Sequence, residues 1–216
     1  MQTFNRIDLT KTLSEGSATL QCDLSLRQID LLMDYLALLI KWNAVYNLTA
    51  VRDPAQMVIQ HVLDSLAAVA AFDGLKNVLD VGSGGGLPGM ILAIARPDLQ
   101  VAMIDTVHKK TAFLTQAKVE LGLSNVTIHS ARVEQLQVTH KFDAITSRAF
   151  AELADFINWS EHLLAPGGSF IAMKGINPQQ ELSRLPVGWL VREVRALAVP
   201  NLQAQRHLVF IERSTD

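Results

Sequence analysis

The feature that most constrains the fold is a glycine-rich segment, Asp80-Val81-Gly82-Ser83-Gly84-Gly85-Gly86, within a chain of 216 residues. It begins within the strand-like run 78–81 and precedes a helix predicted over 88–96. A glycine turn between a strand and a helix lets the backbone approach a ligand closely and directs helix N–H groups at it. The segment therefore predicts an α/β fold with a ligand loop at the end of its first strand.

Strands and helices alternate after this loop. Strands are predicted at 101–105, 126–129, 142–146 and 169–174, and helices at 108–121, 131–136 and 151–164. This alternation is typical of a doubly wound, mostly parallel sheet covered on both faces. The strand-like runs 190–199 and 207–212 are joined too briefly for a crossover, so we expect a C-terminal antiparallel hairpin. The arrangement resembles the Rossmann-like class I methyltransferases more than the dehydrogenases.

The part of the chain before the loop is predicted to be helical. Apolar residues at helical spacing and a capping-box pair predict a helix over 25–43, and Asp53-Pro54 predicts the start of a second that runs to about Phe72. Residues 1–24 show no clear period, and 14–17 are interpreted as a flexible join. We therefore expect a helical appendage over 1–73 and an α/β domain over 74–216, together forming one structural unit.

The glycine loop fits two cofactor classes. Read from Gly84, it matches the G-x-G-x-x-G of dinucleotide-binding proteins, and read from Asp80 it matches the acid-x-G-x-G-x-G of S-adenosylmethionine enzymes. The second interpretation is favoured because Asp80 lies at the end of a predicted strand. Its carboxylate can there engage the cationic methionine end of that cofactor, directly or through water. Asp105 ends the next strand and can accept hydrogen bonds from ribose hydroxyls in either class.

Composition excludes several function classes. The net charge is −2 and the pI about 6.3, so contact with nucleic acid requires a local basic patch. Cys22 is the only cysteine, which excludes an intrachain disulfide, and the six histidines are scattered, so we expect no metal site. The apolar stretch 31–42 is too short to span a bilayer, and no secretory signal begins the chain. A cytoplasmic protein without a membrane partner is expected.

The reaction is constrained by what the sequence lacks. Methylation at cytosine C5 needs a cysteine nucleophile, and Cys22 lies far from the predicted strand ends. Enzymes that methylate exocyclic amines often carry an Asn/Asp-Pro-Pro-aromatic clamp where this chain has Ser147-Arg148-Ala149-Phe150. A target that is already nucleophilic remains, and guanine N7 fits because its lone pair is free. Catalysis by positioning then suffices, and no catalytic base is assigned.

Several motifs together resemble one family. They are Trp42-Asn43, Tyr46-Asn47-Leu48-Thr49, His61-Val62-Leu63-Asp64-Ser65, the loop through Gly89, Ser130-Ala131-Arg132-Val133-Glu134, Ser147-Arg148-Ala149-Phe150 and Met173-Lys174-Gly175. In this order they resemble the bacterial glucose-inhibited division protein B family, the guanine-N7 methyltransferases of 16S ribosomal RNA. The resemblance covers roughly residues 30–213. One departure is Gly85, where many relatives carry proline.

The resemblance implies S-adenosylmethionine as cofactor, with contacts at Gly82, Leu87, Val133, Glu134 and Arg148. The glycine loop and the strand ends add three cofactor candidates from the residues themselves: Asp80, Gly84 and Asp105.

Two further residues are candidates for substrate binding. Lys174 ends the fifth strand and can meet a phosphate. His61 is the second candidate, although it lies one helical turn from Asp64 and can also pair with it. The expected substrate is 16S ribosomal RNA, and because the chain is slightly acidic, we expect it within a small-subunit ribonucleoprotein particle. The alternatives are a small-molecule methyltransferase of the same fold, a nicotinamide oxidoreductase and a module that only binds the cofactor.

Overall fold

The computed structural model describes residues 4–214 and contains a seven-stranded sheet in the order β3-β2-β1-β4-β5-β7-β6. The strands are β1 (Asn77–Val81), β2 (Gln100–Asp105), β3 (Val126–Ser130), β4 (Phe142–Arg148), β5 (Leu164–Lys174), β6 (Trp189–Ala196) and β7 (His207–Arg213). The first five are parallel, and β7 pairs antiparallel with both β5 and β6. The order reverses between β1 and β4, and ligands of open α/β sheets bind at such a switch point.

Helices cover both faces of the sheet. They are α1 (Arg6–Thr19), α2 (Leu26–Tyr46), α3 (Pro54–Met57), α4 (Asp64–Leu66), α5 (Gly89–Ala95), α6 (His108–Glu120), α7 (Leu153–Ser160) and α8 (Gln179–Leu182). A π-helical segment, Val58–Leu63, joins α3 to α4, and short 3₁₀ helices occupy Val69–Phe72, Val133–Gln135 and Glu161–Leu163. One apolar cluster joins α1, α2, α5 and α6 to one face, and a second joins α7 to the other.

Helix α1 was not predicted. The sequence analysis expected an irregular segment with a flexible join at 14–17, and this expectation is wrong because residues 6–19 are helical. The Asn5 side chain caps this helix by accepting from the Ile7 N–H at 3.2 Å. Leu9 and Leu13 are buried at i,i+4 spacing, and Gly16 packs so closely that an added β-carbon would lie 2.5 Å from Leu63 Cδ1. The helix forms because tertiary packing supplements a weak amphipathic pattern.

The other predicted elements are confirmed, with shifted ends. The Ser25–Gln28 capping box is present, and α2 extends to Tyr46. The second helix begins at Pro54 as predicted, but its central turns are π-helical, which the sequence did not indicate. The strand β5 begins at Leu164 rather than 169, because a bulge between Phe142 and Ala144 extends its pairing with β4. The short helix α8 was not predicted.

The N-terminal helices pack against the α/β part rather than standing apart from it. The apolar cluster that holds Leu13 and Leu36 also holds Val78 and Val101 from the sheet. By length and composition the run Pro54–Phe72 is apolar enough to cross a membrane, but most of it is buried in this cluster, as in core helices of other proteins. The boundary between an appendage over 1–73 and a domain over 74–216 stays a prediction.

If α1 is an integral part of the core, truncating its buried face must destabilise the whole chain. Leu13→Ala should lower the free energy of unfolding by about 2–5 kcal/mol, because Leu13 is 1% exposed. Leu26→Ala is the matched control, since Leu26 is 83% exposed and its loss should cost less than about 0.5 kcal/mol. Urea unfolding measures both. Equal stabilities of the two variants would contradict this packing.

Candidate active site

The glycine loop is fixed by hydrogen bonds to the end of β2. The N–H groups of Gly82 and Ser83 both donate to the Ile104 carbonyl, at 2.9 and 3.2 Å, and the Gly84 N–H donates to the Asp105 carboxylate at 3.0 Å. Gly82 and Gly84 have φ of +70° and +57°, which favour glycine. A β-carbon on Gly82 would overlap the Phe150 ring. Glycine is therefore required at Gly82 both for the backbone conformation and for the close approach of the Phe150 ring.

Asp80 supports this loop from below. It is fully buried, and its Oδ2 accepts from the Gly89 N–H at 2.9 Å, which ties β1 to the start of α5. Its Oδ1 has no hydrogen-bond partner among residues 4–214. Burial raises the pKa of Asp80 to about 7. The side chain lies outside the lining of the cavities described next, so any effect on a ligand there passes through the loop or through water.

A cavity of about 390 Å³, here called the Asp105 cavity, opens between the ends of β1, β2 and β4. Asp105 is nearly buried, and its Oδ1 accepts from the Val107 N–H at 2.9 Å while Lys110 Nζ lies 3.5 Å from Oδ2. Val133 and Glu134 begin the 3₁₀ helix on the opposite wall, where the first N–H groups of a helix lack partners within that helix. This cavity combines a carboxylate, an apolar wall and the first backbone N–H groups of a helix.

A second cavity of about 410 Å³, here called the Arg148 cavity, lies beside the first. The lining of both includes Gly82 and Ala149. Ala149 has a φ of +54°, a strained conformation that turns the chain between Arg148, which lines one cavity, and Phe150, which lines the other. Leu87 and the glycine loop form one wall of the Arg148 cavity.

Charged side chains converge on the Arg148 cavity. Arg148 Nη1 donates to Asp64 Oδ2 and to the Gln60 carbonyl, both at 2.9 Å. Arg206 Nε donates to Asp64 Oδ1 at 2.8 Å. Lys174 donates to Glu181 at 2.7 Å and to the Ala151 carbonyl at 3.0 Å. Cations and anions are thus paired around a space that the loop backbone closes on one side.

His61 is not brought into this group. It is 5% exposed, its Nε2 lies 2.8 Å from Thr49 Oγ1, and it lines neither cavity. Burial lowers its pKa to about 4, so the imidazole is neutral at neutral pH. The suggested pairing of His61 with Asp64 is wrong, because both oxygens of Asp64 are bound by arginines.

Comparison with known proteins decides the family. A family model described as rRNA small subunit methyltransferase G matches residues 28–209. The ribosomal RNA small subunit methyltransferase G of Herminiimonas arsenicoxydans is 66% identical over 217 residues, which cover 99% of this chain and 100% of that relative. The chain belongs to the rRNA small subunit methyltransferase G family. The resemblance found in the sequence is confirmed, and as a member of this family the protein is a methyltransferase.

Solved structures agree with this fold at low identity. A putative O-methyltransferase from Klebsiella pneumoniae superposes with a TM-score of 0.57 at 15% identity, covering 84% of this chain and 90% of that one. The N-methyltransferase NodS from Bradyrhizobium japonicum WM9, solved with S-adenosyl-L-homocysteine, gives 0.57 at 14% identity, covering 82% and 100%. The predicted class I methyltransferase fold is confirmed for this member of the rRNA small subunit methyltransferase G family.

Three residues of this site were not singled out as contacts from the sequence. Arg206 lies in a polar connection without a motif, although it directly precedes β7, whose start pairs with the end of β5. Asp64 was noted only as a neighbour of His61. Tyr35 is fully buried in α2, and its hydroxyl donates to the Gly85 carbonyl at 2.5 Å, so an N-terminal helix braces the loop. Among residues 4–214 no three metal-ligating side chains lie close enough to hold a metal ion.

The raised pKa of Asp80 should make the free energy of unfolding depend on pH. The folded chain binds this proton more tightly than the unfolded chain, whose aspartate titrates near 3.8. The stabilisation is therefore complete below about pH 4 and is lost as pH rises towards 7. Between pH 5 and 7 the free energy of unfolding should fall, relative to Asp80→Asn, by up to about 1.4 kcal/mol per pH unit.

Urea unfolding of the ligand-free protein at pH 5, 6 and 7 measures this difference. Asp80→Asn keeps an oxygen that can accept from the Gly89 N–H but cannot ionise, so all other titrations cancel between the two proteins. Parallel dependences on pH would mean that Asp80 titrates normally.

Proposed function

We propose that this protein transfers the methyl group of S-adenosylmethionine to N7 of a guanine in the 16S RNA of the small ribosomal subunit. The observation that carries the proposal is the pair of cavities joined at Gly82 and Ala149, within a family named for the methylation of small-subunit ribosomal RNA. One cavity has the donors and acceptors for a nucleoside, and the other has room and cations for an amino-acid end and a nucleotide.

The cofactor assignment follows from the chemistry of the walls. In the Asp105 cavity, the Asp105 carboxylate suits ribose hydroxyls, and Val133 and Glu134 suit the face and edge of an adenine. Gly82 lines both cavities without a side chain, and Gly84 and Leu87 line the Arg148 cavity beside it. Arg148 offers a guanidinium to the carboxylate of the methionine end. Asp80 contributes by holding the loop in place.

Methyl transfer to N7 needs alignment rather than proton transfer. When bound, the cofactor supplies a methyl group on a positively charged sulfur. Guanine N7 already has a lone pair, so no base has to remove a proton. Asp64, the carboxylate that lines the Arg148 cavity, is engaged by Arg148 and Arg206, and Glu181 is engaged by Lys174. The residues of this cavity therefore hold the two reactants in line and exclude water, which is catalysis by positioning.

The form of the substrate follows from charge. With a net charge of −2, the chain has no general field to grip many phosphates of free RNA. We propose that it recognises a small-subunit particle, in the cytoplasm, through the shape of RNA and neighbouring proteins. Lys174 is retained as a candidate contact to phosphate. To bind one, its ammonium group must give up its hydrogen bonds to Glu181 and to the Ala151 carbonyl. His61 is retained only as an indirect candidate, because it lies behind the cavity wall. No metal or membrane enters the proposal.

Gly82 tests the cofactor assignment. Gly82→Ala should weaken binding of S-adenosylhomocysteine by at least about tenfold, because the new methyl group overlaps Phe150 and forces the loop or the ring into the cofactor space. Gly122→Ala is the matched control: Gly122 has a similar φ of +63° but no atom within 4 Å of an added β-carbon. Calorimetry measures both affinities. Equal affinities would remove Gly82 from the cofactor site.

The reaction itself is tested with labelled S-adenosylmethionine and mass analysis of the nucleosides. Small-subunit particles and free 16S RNA, both from cells that lack this enzyme, are offered side by side over a salt series. We expect 7-methylguanosine as the product, formed mainly on the particles. A methyl group on any other atom would contradict the N7 assignment. Equal methylation of free RNA with a steep salt dependence would contradict the proposed particle substrate.

A further inference from the structure

The carboxylate of Asp64 joins two arginines that are far apart in the sequence. Asp64 is 1% exposed, and each of its oxygens accepts a hydrogen bond from a different guanidinium, Arg148 at 2.9 Å and Arg206 at 2.8 Å. A buried carboxylate is costly unless its charge is compensated, and here it is compensated twice. The three side chains therefore form one unit, which carries a net charge of +1 on the wall of the Arg148 cavity.

This unit keeps hydrogen-bond donors free for a ligand. Arg148 uses Nη1 for Asp64 and the Gln60 carbonyl, and its Nε and Nη2 have no partner among residues 4–214. Arg206 uses Nε for Asp64 and Nη1 for the Gln205 carbonyl, and its Nη2 has none within the described chain. Both side chains are about one-fifth exposed, at 21% and 23%, and both line the cavity. The two guanidinium groups, held in place by Asp64, can thus bind two anionic groups at once.

The positions of the two arginines suggest a division of labour. Arg148 directly precedes Ala149, which lines both cavities, so it lies next to the proposed cofactor path. Arg206 lies instead beside Gly175, whose added β-carbon would be 4.0 Å from its Nη1, on the segment that leaves the end of β5. Arginine often donates to N7 and O6 of guanine, but a donor on N7 would occupy the lone pair that must attack. A phosphate is therefore the suitable ligand for Arg206.

We infer that Asp64 is a positioning residue that holds Arg148 and Arg206 in one geometry, so that Arg148 binds the carboxylate of the cofactor and Arg206 binds a phosphate of the RNA substrate. This inference rests on the proposed function and goes beyond it by naming a residue for the substrate. Without the Asp64 charge the two guanidinium groups repel each other, and each loses its fixed direction. Cofactor and substrate binding should then weaken together, although only Arg206 touches the substrate.

The test separates cofactor affinity from substrate affinity. Arg206→Gln should raise the KM for small-subunit particles by about tenfold or more, as expected for loss of a charge-assisted hydrogen bond, while the Kd for S-adenosylhomocysteine changes less than about twofold. Asp64→Asn should raise both. Adding Arg206→Gln to Asp64→Asn should change the KM little further, because the two residues act as a unit.

Arg96→Gln is the matched control. Arg96 is 20% exposed and also bridges two carboxylates, Asp73 and Asp98, but it follows α5 and lines neither cavity. Its loss should leave both constants unchanged. If Asp64→Asn does not fold, Arg206→Lys replaces it. This variant keeps the positive charge but loses the paired N–H donors of the guanidinium group. Its KM for the particles should therefore lie between those of the wild type and Arg206→Gln.

The outcomes distinguish the inference from the proposed function. If the wild-type protein transfers no methyl group to the particles, the proposed function fails. The assignment of Arg206 to the substrate is overturned if the wild-type protein transfers the methyl group and Arg206→Gln keeps the wild-type KM for the particles. It is also overturned if Arg206→Gln raises the Kd for S-adenosylhomocysteine by as much as it raises that KM. Cofactor affinity that is unchanged in a folded Asp64→Asn protein would overturn the positioning role of Asp64.

Discussion

The hydrogen bonds between the glycine loop and the end of β2 are the constraint on which the site depends. The Ile104 carbonyl accepts from two successive loop N–H groups, and the Asp105 carboxylate accepts from Gly84. Because Asp105 also lines the Asp105 cavity, the carboxylate that holds the loop is the one that we propose binds the cofactor ribose. The proposal therefore links the shape of the loop to ligand binding through one carboxylate.

The remaining elements support that loop from three sides. Asp80 and Gly89 join β1 to α5 below it, Tyr35 braces the Gly85 carbonyl from α2, and Phe150 packs over Gly82 from the end of β4. The contact from α2 gives the N-terminal helices a physical role at the site, in addition to their part in the core. A rigid loop matters for the proposed function, because a misplacement of the reactants by about 1 Å can cost about a hundredfold in rate.

The sheet was predictable because its signals are local. Buried parallel strands appear as short apolar runs, and the residues that end these runs fall at the same edge of the sheet, so Asp105 was a candidate from its position alone. Gly82 and Arg148 were named as cofactor contacts through the family resemblance. Helix α1 was missed because its apolar pattern is weak and its packing partner, Leu63, comes much later in the chain. Arg206 was missed for a related reason: its partner Asp64 is separated by 142 residues, and no local pattern encodes such a pair. His61 is the opposite case, since it belongs to a sequence motif but lines neither cavity.

The central claim is that the loop and the Asp105 cavity bind S-adenosylmethionine rather than a dinucleotide. Calorimetric titration of the purified protein with S-adenosylhomocysteine and, separately, with NAD⁺ tests it most directly. The account predicts one molecule of S-adenosylhomocysteine bound per chain and no detectable heat with NAD⁺. Saturable binding of NAD⁺ with none of S-adenosylhomocysteine would contradict it.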